Sequence, residues 1–567
     1  MYSFKQFIKP EDFVPRTFEL LPNKNGKNYS WSSFGKDCIA GIIVGIVALP
    51  LSMAFSIAAG GTPAQGLYTA ITAGFCISFF GGSKFQIGGP TGAFVVIIFG
   101  VIQQHGLSGL ITATALAGIM LVLMGVSGLG RFIKFIPHPV TTGFTTGIGV
   151  IIFSQQVKDF FGLPIESSAP AFFDKWAEYV GAFPLLDPLT LAIGMGTLVI
   201  IILVRKIFPR LPSAAIGVGI ATIVCYCLEL PVETIGSRYG GIPSSLPAPT
   251  FPHLSWTLLR DVFPAAFTIA LLAAIESLLS AVVADGMTGD RHNANMELTA
   301  QGIGNIMSAF FGGIPATGAI ARTATNVKAG AVSPVAGIMH VVTLVAFILF
   351  FAPAASAIPL AGLSAVLMVV SWDMSHVVRF IRLIRRSPKS DSTVLLITFL
   401  LTIIVDLTFA VGIGMGLAMF LFLRRMIEVT NIKLENDELI TELAFGEMEK
   451  KTMDEIMALT RKDIEIYEIT GPFFFGVADM LQNILAKVAK KPHALILRLR
   501  DVPAIDATGI TALESFLSQC RRRKLRLIIC EIRSQPRKVL EKYGFIEEIG
   551  PENIIDTLEE AIEHLEK

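Results

Sequence analysis

Apolar runs recur along most of this chain, and they constrain its fold more than any other feature. About fourteen of them are long enough, or nearly long enough, to cross the ~30 Å hydrocarbon core of a bilayer as a helix. Only 16% of the 567 residues are charged, compared with about a quarter in soluble proteins. The pattern predicts a polytopic α-helical membrane protein. We number the runs as segments 1 to 14: residues 38–58, 66–80, 91–101, 107–124, 139–153, 189–204, 214–228, 263–283, 298–311, 319–328, 332–351, 355–372, 393–407 and 410–422.

The density of charged residues changes along the chain. Charges are sparse between residues 36 and 426, whereas the sequence beyond residue 428 has the composition of an ordinary soluble protein. The first 35 residues are mixed and polar, so they do not resemble a cleavable signal peptide. We therefore predict a cytoplasmic N-terminal segment at 1–35, a transmembrane domain at 36–430 and a cytoplasmic soluble domain at 435–567.

Basic residues follow four of the predicted spans, at 131–134, 205–210, 379–389 and 424–425. Counting fourteen crossings from a cytoplasmic N-terminus places all four groups on the cytoplasmic side, where Lys and Arg accumulate. We expect a multi-pass protein of the cell inner membrane with both termini in the cytoplasm. The net charge of +1 gives no sign of a nucleic-acid partner, and the six cysteines lack metal-ligand spacing, so no metal or cofactor is predicted.

Two segments are poor membrane helices because glycine and proline interrupt them. They cover residues 85–93 and 313–322, and each begins the third span of its half of the chain. Broken spans at matching positions of two halves indicate a transport site. Since each half has seven spans, the halves must have inverted orientations. Irregular backbone at membrane depth needs hydrogen-bond partners, so both segments should line a cavity rather than face lipid.

Ordered motifs along nearly the whole chain resemble the sulfate permease family, also called solute carrier family 26. The eighth and tenth segments carry the most specific ones. The motifs are ALPLSMAF at 48–55, GLY at 66–68, GGS at 81–83, IGGPTGAF at 87–94, IPHPV at 136–140, AIESLL at 274–279 and GAIARTATN at 318–326.

This resemblance implies an anion transporter with a seven-plus-seven inverted repeat, divided into a core domain and a gate domain. It also implies that segments 3 and 10 point their N-termini at the anion from opposite sides. Residues 281–289 are most similar to the bacterial dicarboxylate branch of the family. Leu51 stands where many members have Gln. Glu276 and Ile320 stand where cyanobacterial bicarbonate carriers have Asp and Thr, which weakens any sodium site.

The predicted binding residues surround the N-termini of the two broken segments. Such helix ends supply free N–H donors and about half a positive charge each. A charged residue at this depth is functional by default, so Arg322 is the leading anion contact; the alternative is a structural salt bridge to Glu276. Phe55 is interpreted as a cavity wall, with a role in the core as the alternative. The predicted set is Phe55, Thr91, Gly92, Ala93, Ala319, Ile320, Ala321 and Arg322.

Glu276 lies in the middle of an apolar span, where an ionised carboxylate would repel a nearby anion by about 2 kcal/mol at ~7 Å. Protonation removes this repulsion, so we predict proton-coupled symport by alternating access. The alternatives are an uncoupled channel and a sodium-coupled bicarbonate carrier. A nucleobase carrier would lack both the tail and Arg322, and no cluster of catalytic groups suggests an enzyme. The anion itself remains open among sulfate, bicarbonate and a C4-dicarboxylate.

The tail reads as an α/β domain, with strands predicted at 464–469, 494–499 and 525–530. Helices are predicted at 478–489, 509–522 and 553–566. The pattern resembles the STAS domain, shared by sulfate transporters and anti-sigma factor antagonists. Thr508 occupies the position that is phosphorylated in soluble relatives, although a helix N-cap explains it equally well. We also predict a homodimer in the bilayer and a cytoplasmic protein partner for the tail.

Overall fold

The computed structural model divides the chain into two compact units, Met1–Ala418 and Met419–Lys567. Among the described residues, the first unit is helical apart from a ribbon of two short paired strands, and the second combines helices with a five-stranded sheet. The structure describes residues 13–20, 29–131, 137–165, 171–209, 211–249, 255–405, 407–434, 464–474, 481 and 492–566.

Sixteen α-helices and two very short strands precede the soluble sheet. In chain order they are α1 (Trp31–Ala58), α2 (Pro63–Phe80), β1 (Gly88–Gly89), α3 (Val95–Val126), α4 (His138–Phe161), α5 (Phe172–Ala182), α6 (Pro188–Ile207), α7 (Ser213–Cys227), α8 (Ile235–Tyr239), α9 (Trp256–Thr288), α10 (Ala294–Phe310), β2 (Thr317–Gly318), α11 (Ile320–Lys328), α12 (Val335–Ser356), α13 (Leu360–Ser375), α14 (Val377–Arg386), α15 (Lys389–Ile404) and α16 (Leu407–Val429).

The predicted membrane segments coincide with these helices. Seven helical stretches of the described chain are long and apolar enough to cross a membrane, and Ser213–Cys227 is a shorter apolar helix. The chain is therefore a multi-pass membrane protein, as predicted. The seven stretches are Trp31–Ala58, Gly92–Val126, Pro188–Ile207, Trp256–Thr288, Val335–Ser356, Leu360–Arg386 and Phe409–Met426.

Helix α3 contains both segment 3 and segment 4. The chain breaks between them at Gly106, whose φ of 66° and ψ of −170° are not helical; glycine has no Cβ and adopts such a conformation readily. Three helices of the first unit, α5, α8 and α14, were not predicted, because a search for long apolar runs passes over short helices.

Close packing of the membrane helices depends on small residues. A methyl group on Gly118 of α3 would lie 2.8 Å from the carbonyl oxygen of Gly302 on α10, and one on Gly302 would lie 2.6 Å from the carbonyl oxygen of Gly118. The two backbones are thus in contact, as is common in membranes, where helices associate through direct packing. Helix α10 is thereby held against α3, which follows the first broken segment.

The second unit contains a sheet with strand order β3-β4-β5-β6-β7. Strand β3 is antiparallel to β4, and the remaining pairs are parallel. The α/β architecture of the tail is as predicted. Its elements are β3 (Asn431–Leu434), β4 (Ile464–Thr470), β5 (Ala494–Asp501), α17 (Ala507–Arg522), β6 (Arg526–Cys530), α18 (Ser534–Tyr543), α19 (Phe545–Ile549), β7 (Ile554–Ile555) and α20 (Leu558–Glu566).

Both faces of this sheet are covered. Leu495 and Leu497 of β5 pack in one apolar cluster with Phe516 of α17, whereas Ile496 packs in another cluster with Ile562 of α20. Successive side chains of a strand point to opposite faces, so a parallel strand with helices on both faces is buried almost continuously, as β5 is.

Two predictions for the tail need comment. The helix predicted at 553–566 starts too early, because Ile554–Ile555 forms the edge strand β7 and the helix begins only at Leu558. These two β-branched residues pair with Ile529 and Cys530 of β6. Most of the helix predicted at 478–489 lies outside the described residues.

Candidate functional site

The two broken segments pair with each other at the centre of the first unit. Gly88 lies opposite Gly318 and Gly89 opposite Thr317, in an antiparallel ribbon, and the Ala319 N–H donates to the carbonyl oxygen of Ile87 at 2.9 Å. Each strand runs directly into a helix: a 3-10 turn at Gly92–Phe94 that leads to α3, and α11. Since the strands are antiparallel, the two helices leave in opposite directions and their N-termini converge on the ribbon.

Buried side chains satisfy the irregular backbone that leads into β2. The Asn305 amide bonds both backbone groups of Ala316, donating at 2.8 Å and accepting at 2.9 Å. The Ile314 N–H donates to Thr69 Oγ1 at 2.7 Å, and the Ile314 carbonyl accepts from Ser308 Oγ at 2.7 Å. Segment 10 can therefore stay non-helical at depth, as irregular backbone in a membrane protein requires.

Side chains also connect the two segments to each other. Thr323 Oγ1 accepts from the Ile87 N–H at 3.1 Å and from Ser280 Oγ at 3.0 Å. Asn326 Nδ2 donates to the carbonyl oxygen of Phe85 at 3.0 Å. Helix α11 is thus fixed to the strand of the other half and to α9.

Arg322 extends from the first turn of α11 across to the other broken segment. Its side chain is 2% exposed, and Nη2 donates to the carbonyl oxygen of Pro90 at 2.9 Å. Its Nη1 is buried and has no hydrogen-bond partner. The position of Gly89 requires a glycine, because a methyl group there would lie 2.5 Å from Nη1. The guanidinium therefore lies between the two segments with an unused donor.

The salt bridge between Arg322 and Glu276, the alternative interpretation of Arg322, is not formed. Within the described part of the chain, Arg322 pairs with no carboxylate, and Glu276 is 8% exposed without a hydrogen bond or ion pair. The residue after Glu276 lies beside the ribbon, since a methyl group on Gly318 would be 3.2 Å from the Cα of Ser277. Of the two interpretations given for Arg322, the structural salt bridge is thus wrong.

The start of segment 3 is enclosed by apolar side chains. A methyl group on Gly92 would lie 2.7 Å from Met374 Sδ, 2.9 Å from Ile152 Cδ1 and 3.1 Å from Phe55 Cε1. Thr91 has an extended backbone, with φ of −132° and ψ of 160°, and its buried hydroxyl has no partner. Phe55 therefore lies against the predicted site, and Ile152 and Met374 join it from α4 and α13.

The other predicted residues differ in exposure. Ala93 is fully buried and Ala319 is 7% exposed, whereas Ile320 is half-buried and Ala321 is exposed. Thus all eight predicted binding residues lie on the two converging helix starts or, for Phe55, beside them.

Sequence reasoning missed two buried carboxylates that hold loops in place. Asp37 of α1 accepts from the N–H groups of Val332 and Ser333 at 2.7 and 3.2 Å. Glu297 of α10 accepts from the N–H groups of Gly82 and Ser83 at 2.9 and 3.0 Å. Both are fully buried. An acidic residue close to an apolar run is the signal that could have indicated them.

His340 of α12 was also missed. It is fully buried, and neither ring nitrogen has a hydrogen-bond partner. A methyl group added to Gly74 would lie 3.7 Å from Cε1 of His340 and 3.3 Å from the carbonyl oxygen of Gly88. His340 therefore lies close to the ribbon, on the side of α2.

Thr508 is exposed in the first turn of α17. The N-cap of that helix is Asp506, whose Oδ1 accepts from the Gly509 N–H at 2.8 Å. The alternative interpretation of Thr508 as the N-cap is therefore wrong. In the described ranges, no group of three or more His, Cys, Asp or Glu side chains could hold a metal ion.

Sequence comparison places the chain among known proteins. It matches the sulfate permease family over residues 34–398 and the STAS domain over residues 455–561. Putative sulfate transporter YvdB of Bacillus subtilis is 45% identical over 535 residues, which cover 94% of this chain and 97% of that protein. Bicarbonate transporter BicA of Picosynechococcus is 28% identical, covering 93% of this chain and 94% of its own.

Solved structures agree with these relatives. The murine Solute Carrier 26 family member A9 anion transporter has a TM-score of 0.84 at 19% identity, covering 100% of this chain and 96% of that chain, which demonstrates the fold alone. The transmembrane domain of the cyanobacterial BicA has a TM-score of 0.60 at 27% identity and covers 69% of this chain and 98% of that chain. The chain therefore belongs to the sulfate permease family and carries a STAS domain after its membrane-spanning part.

Proposed function

We propose that this protein is a secondary active transporter of small anions, and that the anion binds between the N-termini of the two broken segments. Membership of the sulfate permease family supports this, as does the naming of its relatives as sulfate and bicarbonate transporters. The protein is not proposed to be an enzyme.

One observation carries the proposal. The ribbon of β1 and β2 brings two helix starts together, and Arg322 lies buried there with Nη1 unpartnered and no carboxylate beside it among the described residues. A buried cation without a counter-ion is costly. An anion at this position would compensate it and would also accept hydrogen bonds from the free N–H groups of both helix starts.

The chemistry of the site favours an oxyanion. Guanidinium presents its donors in a planar fork that matches the oxygens of sulfate or a carboxylate. The enclosed start at Gly92, against Phe55, Ile152 and Met374, favours a small ion. Sulfate, bicarbonate and C4-dicarboxylates all meet these requirements, and similarity to the dicarboxylate branch stays a prediction.

We propose proton coupling through Glu276. Its carboxylate is nearly buried and has no partner in the described chain, so it would repel an anion unless protonated. Sodium coupling finds less support, because Ile320 has no side-chain oxygen. An uncoupled channel remains the second candidate; an imposed pH gradient separates the two, since only a symporter accumulates anion against its own gradient.

Further parts of the proposal concern placement and assembly. The basic residues that follow segments 4, 6, 12 and 14 favour the inner membrane with both termini in the cytoplasm. We propose a homodimer, and a cytoplasmic protein partner for the STAS domain. Thr508 is exposed at the start of α17, where phosphorylation would be sterically feasible.

The test is equilibrium binding of radiolabelled sulfate to the purified full chain, with bicarbonate and succinate as competitors. Arg322→Ala should weaken binding at least about 30-fold, because truncating a buried charged contact costs roughly 2–5 kcal/mol. Arg205→Ala is the matched control, since Arg205 pairs with Asp373 on an exposed surface. Wild-type binding by Arg322→Ala would contradict the proposed site.

A further inference from the structure

Helix α14 connects α13 to α15 and presents chemically different rows of side chains. One row is partly buried against the protein, and in it the Phe380 ring lies 5.0 Å from the Phe399 ring of α15. A second row is apolar but exposed, which is unusual for large side chains in a polar setting. It consists of Val378, Ile381 and Ile384, which are 73%, 43% and 37% exposed.

A third row is cationic. Arg379, Arg382, Arg385 and Arg386 are all exposed, and Lys389 follows at the start of α15. This charge density keeps α14 out of the hydrocarbon core. An apolar row beside a cationic row is the pattern of a helix that lies in the membrane interface.

A cleft of about 520 Å³ opens between the end of α13 and the first turns of α14. Arg379, Arg382, His376 and Trp372 contribute to its walls, and Trp372 is 70% exposed. Tryptophan is enriched at the membrane interface. The cleft therefore combines two guanidinium groups with an aromatic ring of the type that is enriched at the depth of lipid headgroups.

The one acidic residue of the cleft is already compensated. Asp373 accepts from Arg205 Nη1 at 2.8 and 3.0 Å. Arg379 and Arg382, by contrast, pair with no carboxylate in the parts of the chain that the structure describes. The cleft thus has an excess of positive charge, carried by guanidinium groups, which bind phosphate well.

We propose that this cleft binds the headgroup of an anionic phospholipid, with the phosphate at Arg379 and Arg382 and the acyl chains along Val378, Ile381 and Ile384. The site is separate from the ribbon of β1 and β2, so it does not depend on which anion is transported.

The test uses Trp372 as a reporter in the purified full chain. The protein is reconstituted in phosphatidylcholine with increasing fractions of brominated phosphatidylglycerol, and fluorescence quenching is recorded. The signal of Trp372, one of four tryptophans in the chain, is obtained by difference from Trp372→Phe. Brominated phosphatidylcholine and 10 mM inorganic phosphate serve as the other two arms.

In wild type, brominated phosphatidylglycerol should quench Trp372 at much lower fractions than brominated phosphatidylcholine. Arg379→Gln with Arg382→Gln removes two surface charges and also the contacts with the phosphate, so it should weaken this preference at least about 100-fold. Arg385→Gln with Arg386→Gln removes the same charge outside the cleft and should weaken the preference at most about 30-fold, since each basic residue near an anionic surface contributes about fivefold. All variants are compared by size-exclusion profile and melting temperature.

If both double variants lost the preference for phosphatidylglycerol equally, the proposed binding in the cleft would be wrong, because the preference would then come from general attraction to the surface. Reversal of quenching by inorganic phosphate would overturn the lipid assignment and indicate a site for soluble anions. Equal quenching of Trp372 by the two brominated lipids would contradict both the binding in the cleft and the preference for an anionic headgroup.

Discussion

The two broken segments, 85–93 and 313–322, share a backbone plan but differ in their chemistry. Each has a two-residue strand followed directly by a helix start, and the strands pair with each other. The first segment has no charged residue after Lys84 and begins with a 3-10 turn enclosed by Phe55, Ile152 and Met374. The second begins a regular α-helix and carries Arg322.

The difference suggests a division of labour within a nearly symmetric frame. The first segment provides a shaped apolar wall and an accepting carbonyl, Pro90, that holds the guanidinium of Arg322. The second provides the charge and the exposed residue Ala321. The backbone conformation that the two broken segments share thus places two helix starts together. On the proposed function, specificity and binding strength come from side chains that differ between the segments.

The largest expected effect sharpens this comparison directly. Arg322→Ala should reduce anion uptake into proteoliposomes at least about 30-fold, and Arg322→Lys should restore only part of it, because an ammonium lacks the planar fork. Thr91→Val, which removes the unpartnered hydroxyl of the other helix start, should cost at most about 10-fold. If Thr91→Val matched Arg322→Ala, the proposed asymmetry would be wrong.

The next effect concerns the anchoring of the second segment. Asn305→Ala leaves both backbone groups of Ala316 buried without partners, which should lower the free energy of unfolding by about 2–4 kcal/mol. Asn326→Ala frees one carbonyl, that of Phe85, and should cost about 1–2 kcal/mol. Chemical denaturation in detergent measures both, and a smaller loss for Asn305→Ala would contradict the anchoring argument.

A third effect tests the enclosed start of the first segment. Gly92→Val should weaken sulfate binding about 20-fold, because side chains added against Phe55, Ile152 and Met374 cost roughly 1–3 kcal/mol of overpacking. Ala321→Val enlarges an exposed position of the other segment and should change affinity less than about threefold. Comparable losses in the two variants would show that both helix starts are equally confined.

The smallest effect concerns coupling. If Glu276 carries the proton, uptake should rise as external pH falls, by up to about tenfold per pH unit for one proton per cycle. Glu276→Gln, which is permanently neutral, should keep anion exchange and lose this pH dependence. Vesicle uptake under a pH gradient and then a sodium gradient measures it. Sodium-driven accumulation without a pH response would favour the bicarbonate-carrier alternative.

Local sequence patterns predicted much of this arrangement. Glycine and proline near residues 88–90 and 313–318 indicated both broken segments, and apolar runs indicated the helices around them. Arg322 stood out because charge is rare in such segments. These signals depend on a few neighbouring residues, so they can be read without knowledge of the tertiary structure.

The pairing itself could not be predicted in the same way. The partners Gly88 and Gly318 are 230 positions apart, and two-residue strands have no pattern of their own. The bond from Arg322 to Pro90 likewise exists only once distant parts of the chain have packed. The hydrogen bonds of Asn305 with Ala316 span only 11 residues, but no regular sequence pattern indicates them. Sequence alone therefore left a salt bridge to Glu276 open, which the folded chain does not form.

The central claim is that one anion binds between the two helix starts, beside Arg322. Selenate, a heavy analogue of sulfate, allows the most direct measurement: crystals of the protein with selenate, examined for anomalous scattering from selenium. The account predicts one strong peak within hydrogen-bond distance of Arg322 Nη1, between residues 91–93 and 319–322. A strong peak elsewhere, with this position empty at saturating selenate, would contradict it.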